Sequence, residues 1–232
     1  MAIGEQEKGW ASGLLSAQPV QRGDIVRTIT AGLHRPLGDD HRSPVLFVPK
    51  TLPDRPAGLI VLLHGAGGNS TDILPILRDE AERLGVLVLV PQSAGSTWDM
   101  LLRNYGPDVG TIDRALAKVF ELCPIDPRRI AVSGFSDGGS YALSLGVGNG
   151  NLFSGILAFS PGFIQPGEQR GEPEIFISHG TNDGVLPIDR CSRRIVPALE
   201  RAGYRVDYRE FNGGHVVPVD MVKAAMDGLD WA

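Results

Sequence analysis

Ser136 stands in a Gly-x-Ser-x-Gly motif over residues 134–138, between an apolar stretch at 129–133 and a helical pattern that starts at residue 137. A strand that turns this sharply into a helix holds its central residue in a strained conformation, and the flanking glycines leave room for neighbouring backbone. The turn places the serine hydroxyl above the sheet, at the mouth of a cleft and over the N-terminus of the following helix. The motif alone is common by chance, but this placement predicts Ser136 as a nucleophile.

A serine nucleophile needs a histidine to take its proton and an acid to orient that histidine. Asp183 follows the apolar stretch at 174–178, and His215 follows the stretch at 205–211. If both stretches are strands of a parallel sheet, these two residues reach the same edge as Ser136. The order serine, acid, histidine is also the order that accompanies this strand–turn–helix motif. We therefore predict Ser136, Asp183 and His215 as catalytic residues.

Other polar residues near the strand ends compete for these roles. Asp189 is a rival acid, but it lies inside the next helical pattern. We expect His179 to shape the loop that holds Asp183 rather than to act as the base. Ser133 and Ser160 each end an apolar run but lack the pair of flanking glycines, so neither is a predicted nucleophile.

Two preorganised N–H groups are needed to hold the negative charge that develops on a carbonyl oxygen under attack. One is the N–H of Asp137, directly after the predicted nucleophile. The turn His-Gly-Ala-Gly-Gly-Asn at 64–69 offers the other, with Ala66 as the expected donor. A glycine-rich turn can instead bind phosphate, but this one lacks Gly-x-Gly-x-x-Gly spacing and a Walker lysine. Ala66 and Asp137 are the predicted oxyanion-hole residues.

Apolar residues in loops at the same edge are candidates for substrate contacts. Trp98 lies in the loop after the stretch at 86–90, where it could line an acyl pocket or pack beneath the loop. Phe163 and Leu186 belong to the loops after two later strands. An apolar lining suits an uncharged acyl chain better than a charged substrate. Trp98, Phe163 and Leu186 are the predicted substrate-binding residues.

Apolar strands alternate with amphipathic helices from residue 58 onwards, which predicts an α/β protein with a mainly parallel central sheet and helices on both faces. The predicted strands are 58–63, 86–90, 129–133, 153–159, 174–178 and 205–211. The predicted helices are 71–84, 108–122, 137–147, 188–202 and 219–229. Two further segments resemble antiparallel edge strands, namely 25–33 and 44–49.

The remaining segments predict a simple organisation. Residues 1–20 show no clear period, and we expect them to be partly disordered. The connection at 160–173 is rich in proline and glycine, which predicts a flap rather than a large lid. No repeat, low-complexity tract or linker interrupts the pattern, so residues 1–232 are predicted to form a single domain.

Composition and charge narrow the classes of function. The net charge of −5 and the lack of a Lys/Arg run disfavour a nucleic-acid partner. The longest apolar run, 85–90, is far too short to span a bilayer, so we expect no stable membrane insertion. The polar, acidic N-terminus lacks the features of a secretory signal, which predicts a cytoplasmic location. Cys123 and Cys191 fit no zinc spacing, and the sequence leaves a pairing between them open.

These residues together resemble the α/β-hydrolase superfamily, and within it the small serine esterases of the carboxylesterase/phospholipase type. Relatives of this type include acyl-protein thioesterase-like and polyhydroxybutyrate-depolymerase-like enzymes. The resemblance covers roughly residues 45–230 and rests on four motifs, Leu-Leu-His-Gly-Ala-Gly-Gly-Asn at 62–69, Gly-Phe-Ser-Asp-Gly-Gly at 134–139, His-Gly-Thr-Asn-Asp-Gly-Val-Leu-Pro at 179–187 and Gly-Gly-His at 213–215. It implies a serine carboxylic ester hydrolase that acts on a small-molecule ester, with a short to medium acyl group, and that needs no metal or cofactor.

Asp137 departs from the relatives, many of which have Gln, Ala or Met at this position. A carboxylate at a helix N-terminus is locally favourable. Beside an oxyanion, however, it would oppose the developing charge. We therefore expect the Asp137 carboxylate to be paired or to point away.

Alternative functions remain open at this point. A thioesterase or a lysophospholipase would use the same three residues, and only the preferred acyl substrate would separate them from an esterase. A peptidase is disfavoured because the chain has no propeller or cap domain. The alternative from another class is a non-catalytic ligand-binding α/β-hydrolase, but such proteins usually have a broken triad or motif. The sequence does not indicate an oligomeric state.

Overall fold

The computed structural model describes residues 4–19, 29–38, 40, 42–102, 104–165, 167–229 and 231. The strands in these residues are β1 (Gly32–His34), β2 (Val45–Val48), β3 (Ala57–Leu63), β4 (Val86–Val90), β5 (Ile125–Phe135), β6 (Gly155–Phe159), β7 (Glu174–Gly180) and β8 (Val206–Phe211). The helices are α1 (Glu5–Ala11), α2 (Ser70–Ile73), α3 (Pro75–Leu84), α4 (Asp99–Leu102), α5 (Pro107–Leu122), α6 (Asp137–Gly148), α7 (Ser192–Arg201) and α8 (Val219–Asp227).

The strands form one sheet in the order β1-β2-β4-β3-β5-β6-β7-β8. β2 pairs antiparallel with both β1 and β4, and the other neighbouring strands run parallel. The predicted α/β class and mainly parallel sheet are therefore confirmed. The antiparallel strand predicted at 44–49 is also present, whereas residues 25–28 of the other predicted edge strand lie outside the described residues.

The central strands are apolar throughout because helices cover both faces of the sheet. In β3, Leu59, Val61 and Leu63 pack in the cluster that contains α5, α6 and α7. Ile60 and Leu62 point the other way, into the cluster that contains α3 and α8. Each of these five side chains is fully buried, and burial of such a side chain contributes about 1.5–3 kcal/mol.

Two predicted helices differ from the observed elements. The helix predicted at 71–84 is divided into α2 and α3, because Pro75 has no N–H to continue the hydrogen-bond ladder. The helix predicted at 188–202 begins with a 3-10 turn, Ile188–Arg190, before α7.

Two short helices were not predicted. α4 follows β4 at Asp99–Leu102, and α1 lies in the segment for which we expected partial disorder. The N-terminal residues 4–19 instead pack on α5, with Leu15 and Ala17 buried. A single helical turn and an irregular segment give too short a periodic pattern to recognise in a sequence.

The carboxyl ends of β3, β5, β7 and β8 meet at one edge of the sheet because these strands are parallel. The connection between β6 and β7 carries no helix or strand in its described residues, in agreement with the predicted flap. Cys123 and Cys191 are both buried thiols, not joined by a disulfide. Among the described residues, no helix is long and apolar enough to cross a membrane.

Candidate active site

Ser136 occupies the sharp turn between β5 and α6 that the sequence predicts. Its φ and ψ of 59° and −121° lie in a region that L-residues rarely adopt, at a cost of about 1–3 kcal/mol. A Cβ on Gly134 would overlap the Gly138 carbonyl, and a Cβ on Gly138 would overlap the Leu63 carbonyl. The Ser136 N–H donates to the Phe159 carbonyl of β6 at 2.9 Å. The glycines and this bond together hold the strained turn.

The structure brings the three predicted catalytic side chains into one hydrogen-bonded row. His215 Nε2 lies 2.9 Å from Ser136 Oγ, and His215 Nδ1 lies 2.6 Å from Asp183 Oδ2. A carboxylate can only accept, so the proton lies on Nδ1 and Nε2 is left to accept from the serine hydroxyl. The ring of Phe135 packs against the His215 ring, with centroids 4.6 Å apart.

The Asp183 carboxylate is buried and held in the ionised form. Its Oδ1 accepts hydrogen bonds from the N–H groups of Val185 and Leu186, at 2.9 and 2.8 Å. Burial alone would raise the pKa of Asp183, but the hydrogen bonds from His215, Leu186 and Val185 outweigh burial and hold that pKa below its ordinary value. The acid is therefore charged wherever the histidine can act as a base.

Asp189 is paired elsewhere, whereas His179 contacts the same carboxylate as His215, with its Nε2 3.3 Å from Asp183 Oδ2. Asp189 is 77% exposed and pairs with Arg193 at 2.8 Å, away from His215. His179 is fully buried, with Nδ1 2.7 Å from Ser192 Oγ and Nε2 2.8 Å from the Leu186 carbonyl. Burial lowers the pKa of His179, so the ring is neutral and joins the Asp183 loop to α7. This contact agrees with the expectation that His179 shapes that loop.

The turn at 64–69 lies against the nucleophile and is held from several sides. Its Gly65 approaches the Ser136 side chain. Gly67 N–H donates to the Ser96 carbonyl at 2.6 Å, and Gly68 N–H donates to the Gly65 carbonyl at 3.1 Å. The Ala66 N–H forms no hydrogen bond with the described residues. Asp137 is the first residue of α6, so its N–H also lacks an intrahelical acceptor.

His64 fixes this turn from below, a role that the sequence analysis missed. Its ring Nδ1 lies 2.8 Å from the Gly65 carbonyl, and its Nε2 accepts from Ser93 N–H at 3.1 Å. Burial lowers the pKa of His64, in keeping with a neutral ring that donates through Nδ1 and accepts through Nε2. The glycine-rich motif indicates a role for the backbone N–H groups of the turn. The sequence alone does not show that the His64 side chain is buried.

The prediction that Trp98 binds substrate was wrong. The side chain instead packs beneath the loop, which was the alternative that the sequence left open. Its side chain is 0% exposed, and its indole N–H donates to the His64 carbonyl at 2.8 Å. The rings of His64 and Tyr141 lie on either side, at centroid distances of 4.8 and 5.1 Å. Trp98 thus supports the turn at 64–69 and has no surface left for substrate.

Phe163 and Leu186 lie where the sequence analysis expected them, on loops at the edge that carries Ser136. Phe163 is 39% exposed, and Leu186 is partly buried against Gly162. Their loops are joined to the other site elements, since Leu186 N–H binds Asp183 and Ser140 Oγ accepts from Gly162 N–H at 2.8 Å. Their contact with substrate stays a prediction.

The Asp137 carboxylate is paired, one of the two arrangements that we expected. Thr97 Oγ1 donates to Asp137 Oδ2 at 2.7 Å, which ties the loop after β4 to the start of α6. Thr97 was not among the predicted site residues. Its type and position in a loop carry no signal for a partner 40 residues later.

Comparison with known proteins identifies the family. Residues 109–231, more than half of the chain, match a family model described as Phospholipase/Carboxylesterase. No curated protein matches the chain.

Solved structures are similar in fold. A carboxylesterase from Bacillus cereus is 23% identical, with 81% of this chain and 93% of that chain covered and a TM-score of 0.64. Esterase PE8 is 22% identical, with 78% and 94% covered and a TM-score of 0.64. A phospholipase/carboxylesterase from Dyadobacter fermentans is 23% identical, with 81% and 96% covered and a TM-score of 0.59.

At these identities the structural similarity speaks for the fold, and it confirms the predicted α/β-hydrolase fold without a large lid. The family match extends this from fold to enzyme class, and it confirms the prediction of a carboxylic ester hydrolase at the level of the family. The chain belongs to the phospholipase/carboxylesterase family of α/β-hydrolases.

Proposed function

We propose that this protein is a serine esterase that hydrolyses small-molecule carboxylic esters through an acyl-enzyme. The observation that carries the proposal is the unbroken row from Asp183 Oδ2 through His215 to Ser136 Oγ, with contacts of 2.6 and 2.9 Å. These distances lie within the range over which a base takes a proton from a nucleophile.

The reaction proceeds in two halves. His215 Nε2 takes the Ser136 proton while Oγ attacks the ester carbonyl carbon, and the N–H groups of Ala66 and Asp137 bind the resulting oxyanion. The intermediate collapses with cleavage of the carbon–oxygen bond to the alcohol, which receives the proton from His215. A water molecule then gives a proton to His215 and attacks the acyl-enzyme, and collapse releases the acid and returns the proton to Ser136. Asp183 stays ionised and stabilises the imidazolium in both halves.

A series of p-nitrophenyl esters from acetate to dodecanoate tests this function. We expect hydrolysis with an optimum among the short to medium acyl groups, because Phe163 and Leu186 are partly exposed apolar side chains on loops at the edge that carries Ser136. Where acylation is the faster half, p-nitrophenol should appear in a burst that equals the enzyme concentration. No turnover of any ester, together with no labelling by a fluorophosphonate, would favour the non-catalytic alternative.

The thioesterase and lysophospholipase alternatives use the same residues and are separated by substrate. Acyl thioesters and a lysophospholipid, assayed beside the p-nitrophenyl ester of the same acyl chain, rank the three activities by kcat/KM. The cytoplasmic location, the single domain and the absence of a nucleic-acid partner stay predictions.

Replacement of Asp137 by asparagine tests the charge beside the oxyanion. Asp137→Asn keeps an oxygen that can accept from Thr97 Oγ1, and it removes a negative charge close to the developing oxyanion. We expect kcat to be unchanged or raised in the p-nitrophenyl ester assay. Thr97→Val is the control, since it removes the hydrogen bond and leaves the charge. A loss of about a hundredfold in kcat on Asp137→Asn would show that the carboxylate has a positive role.

A further inference from the structure

A groove of about 440 Å³ lies on the part of the surface where the N-terminal segment meets the connection between β6 and β7. Three segments form its walls: the N-terminal strap, which we define as residues 4–19, the loop after α4 and the flap between β6 and β7. The lining residues that matter here are Ala11, Leu14, Asn104, Tyr105, Gln165 and Glu168. The N-terminal strap precedes residues 109–231, which match the family model.

The N-terminal strap is a firmly anchored wall. The Asp113 carboxylate of α5 accepts from Trp10 Nε1–H at 2.8 Å, and from the N–H groups of Ser16 and Ala17 at 2.8 Å each. Burial alone would raise the pKa of Asp113, but hydrogen bonds from the strap hold it below its ordinary value. The Asn149 side chain adds two bonds, from Leu15 N–H at 2.8 Å and to the Gly13 carbonyl at 2.7 Å.

The flap is anchored along α6, which fixes how far the groove lies from the nucleophile. Ser140 Oγ accepts from Gly162 N–H at 2.8 Å, and Ser144 Oγ accepts from Gln165 N–H at 3.0 Å. Ser144 comes eight residues after Ser136 on one helix, which corresponds to about 12 Å along the axis. Tyr105 interacts with the same Ser144 side chain from the opposite wall. The two walls therefore meet about 12 Å from the proposed nucleophile.

The polarity of the lining changes along this distance. Leu102 and Phe163, which precede the groove residues on their respective loops, are exposed apolar side chains at 60% and 39%. In the groove itself, the Asn104 and Gln165 side chains are exposed and form no hydrogen bond to another described residue. Glu168 is paired with Arg170 at 2.8 Å, so its charge is offset. Among the described residues, exposed apolar side chains thus precede two hydrogen-bonding amides and a carboxylate that is paired with Arg170.

We propose that the groove is a distal subsite for the far end of one arm of the ester substrate, and this rests on the proposed function. The arm it fits is apolar for about ten atoms, because carbon–carbon bonds of about 1.5 Å in a zigzag then cover about 12 Å. It ends in an uncharged hydrogen-bonding group such as a hydroxyl or an amide. The arm can belong to the acyl or to the alcohol part of the ester, and substrates of both kinds distinguish the two.

The test compares substrates that differ only at the far end. p-Nitrophenyl 10-hydroxydecanoate against p-nitrophenyl decanoate probes the acyl arm, and 10-hydroxydecyl acetate against decyl acetate probes the alcohol arm. In one of these pairs we expect the hydroxylated ester to have the higher kcat/KM by about fivefold, the value of one net hydrogen bond. Equal kcat/KM within both pairs would overturn the proposal.

Three variants test whether the preference for the hydroxylated ester arises in the groove. Ala11→Trp fills the groove, and the double variant Asn104→Ala with Gln165→Ala removes its free amides. Both should abolish the preference for the hydroxylated ester and leave hydrolysis of p-nitrophenyl butyrate unchanged. Lys8→Trp is the matched control, since it puts the same side chain on an exposed position of α1 outside the groove lining. Equal loss of preference in Lys8→Trp and Ala11→Trp would overturn the proposal.

Binding without turnover separates failure of the subsite from failure of the proposed function. If wild type and Ser136→Ala both leave p-nitrophenyl butyrate intact, the proposed function fails. The change in melting temperature on addition of a ligand then tests whether the groove binds such an arm. A larger rise in melting temperature with 1,10-decanediol than with 1-decanol, absent in Ala11→Trp, would support a groove that binds a terminal hydroxyl. Equal shifts with the two alcohols would overturn it.

Discussion

Replacement of Ser136 by alanine is expected to lower kcat for p-nitrophenyl butyrate by about 10⁵- to 10⁶-fold. The reason is that, among the described residues, the hydroxyl hydrogen-bonded to His215 Nε2 is Ser136 Oγ, at 2.9 Å. The turn should survive, because Gly134 and Gly138 still allow the backbone conformation that residue 136 adopts. The measurement is the steady-state rate with a fluorophosphonate label as a count of active sites. Label should be lost from Ser136→Ala together with activity.

Ser133→Ala is the matched control for this prediction. Ser133 lies on the same strand, and its hydroxyl is buried without a hydrogen-bond partner among the described residues. Removal of an unsatisfied buried hydroxyl is neutral or stabilising, so activity should be unchanged and the melting temperature equal or higher. Residual activity of Ser136→Ala close to that of Ser133→Ala would show that the nucleophile lies elsewhere.

The nucleophile and its partners could be predicted from the sequence because each depends on a local signal. The glycines around Ser136 are required by carbonyl groups of its own turn and of β3, and this appears as a motif. Asp183 follows an apolar run and His215 follows a strand of alternating polarity, and parallel strands bring their ends to one edge whatever the details of packing. Pairing of distant residues by topology therefore needs only the element types and their order.

The supporting contacts could not be predicted because they depend on side-chain directions and burial. Trp98 illustrates this, since its place in the sequence is equally consistent with a pocket wall and with a side chain that packs on His64. The N-terminal strap is a second case, because its order comes from bonds to Asp113 rather than from any period of its own. Long-range hydrogen bonds of this kind leave no pattern in a single sequence.

Replacement of Asp183 by asparagine is expected to lower kcat by about 10⁴-fold with the fold intact. The structure gives a specific cause. Asp183 Oδ1 accepts from two backbone N–H groups, so an asparagine must place its amide oxygen there and its NH₂ group towards His215 Nδ1. The imidazole proton then moves to Nε2 and points at Ser136 Oγ, and the ring can no longer accept the serine proton.

Asp189→Asn is the matched control for this prediction. Asp189 occupies the loop that follows the same strand, but its exposed carboxylate pairs with Arg193, and loss of such a surface pair changes stability by about 0–1 kcal/mol. We expect Asp189→Asn to keep kcat within about twofold of wild type, since its charge lies outside the row of Asp183, His215 and Ser136. Both variants lose one negative charge from the same loop, so a general electrostatic effect would lower kcat in both. A loss in Asp183→Asn alone requires the orientation of His215, whereas a loss in Asp189→Asn alone would identify Asp189 as the acid.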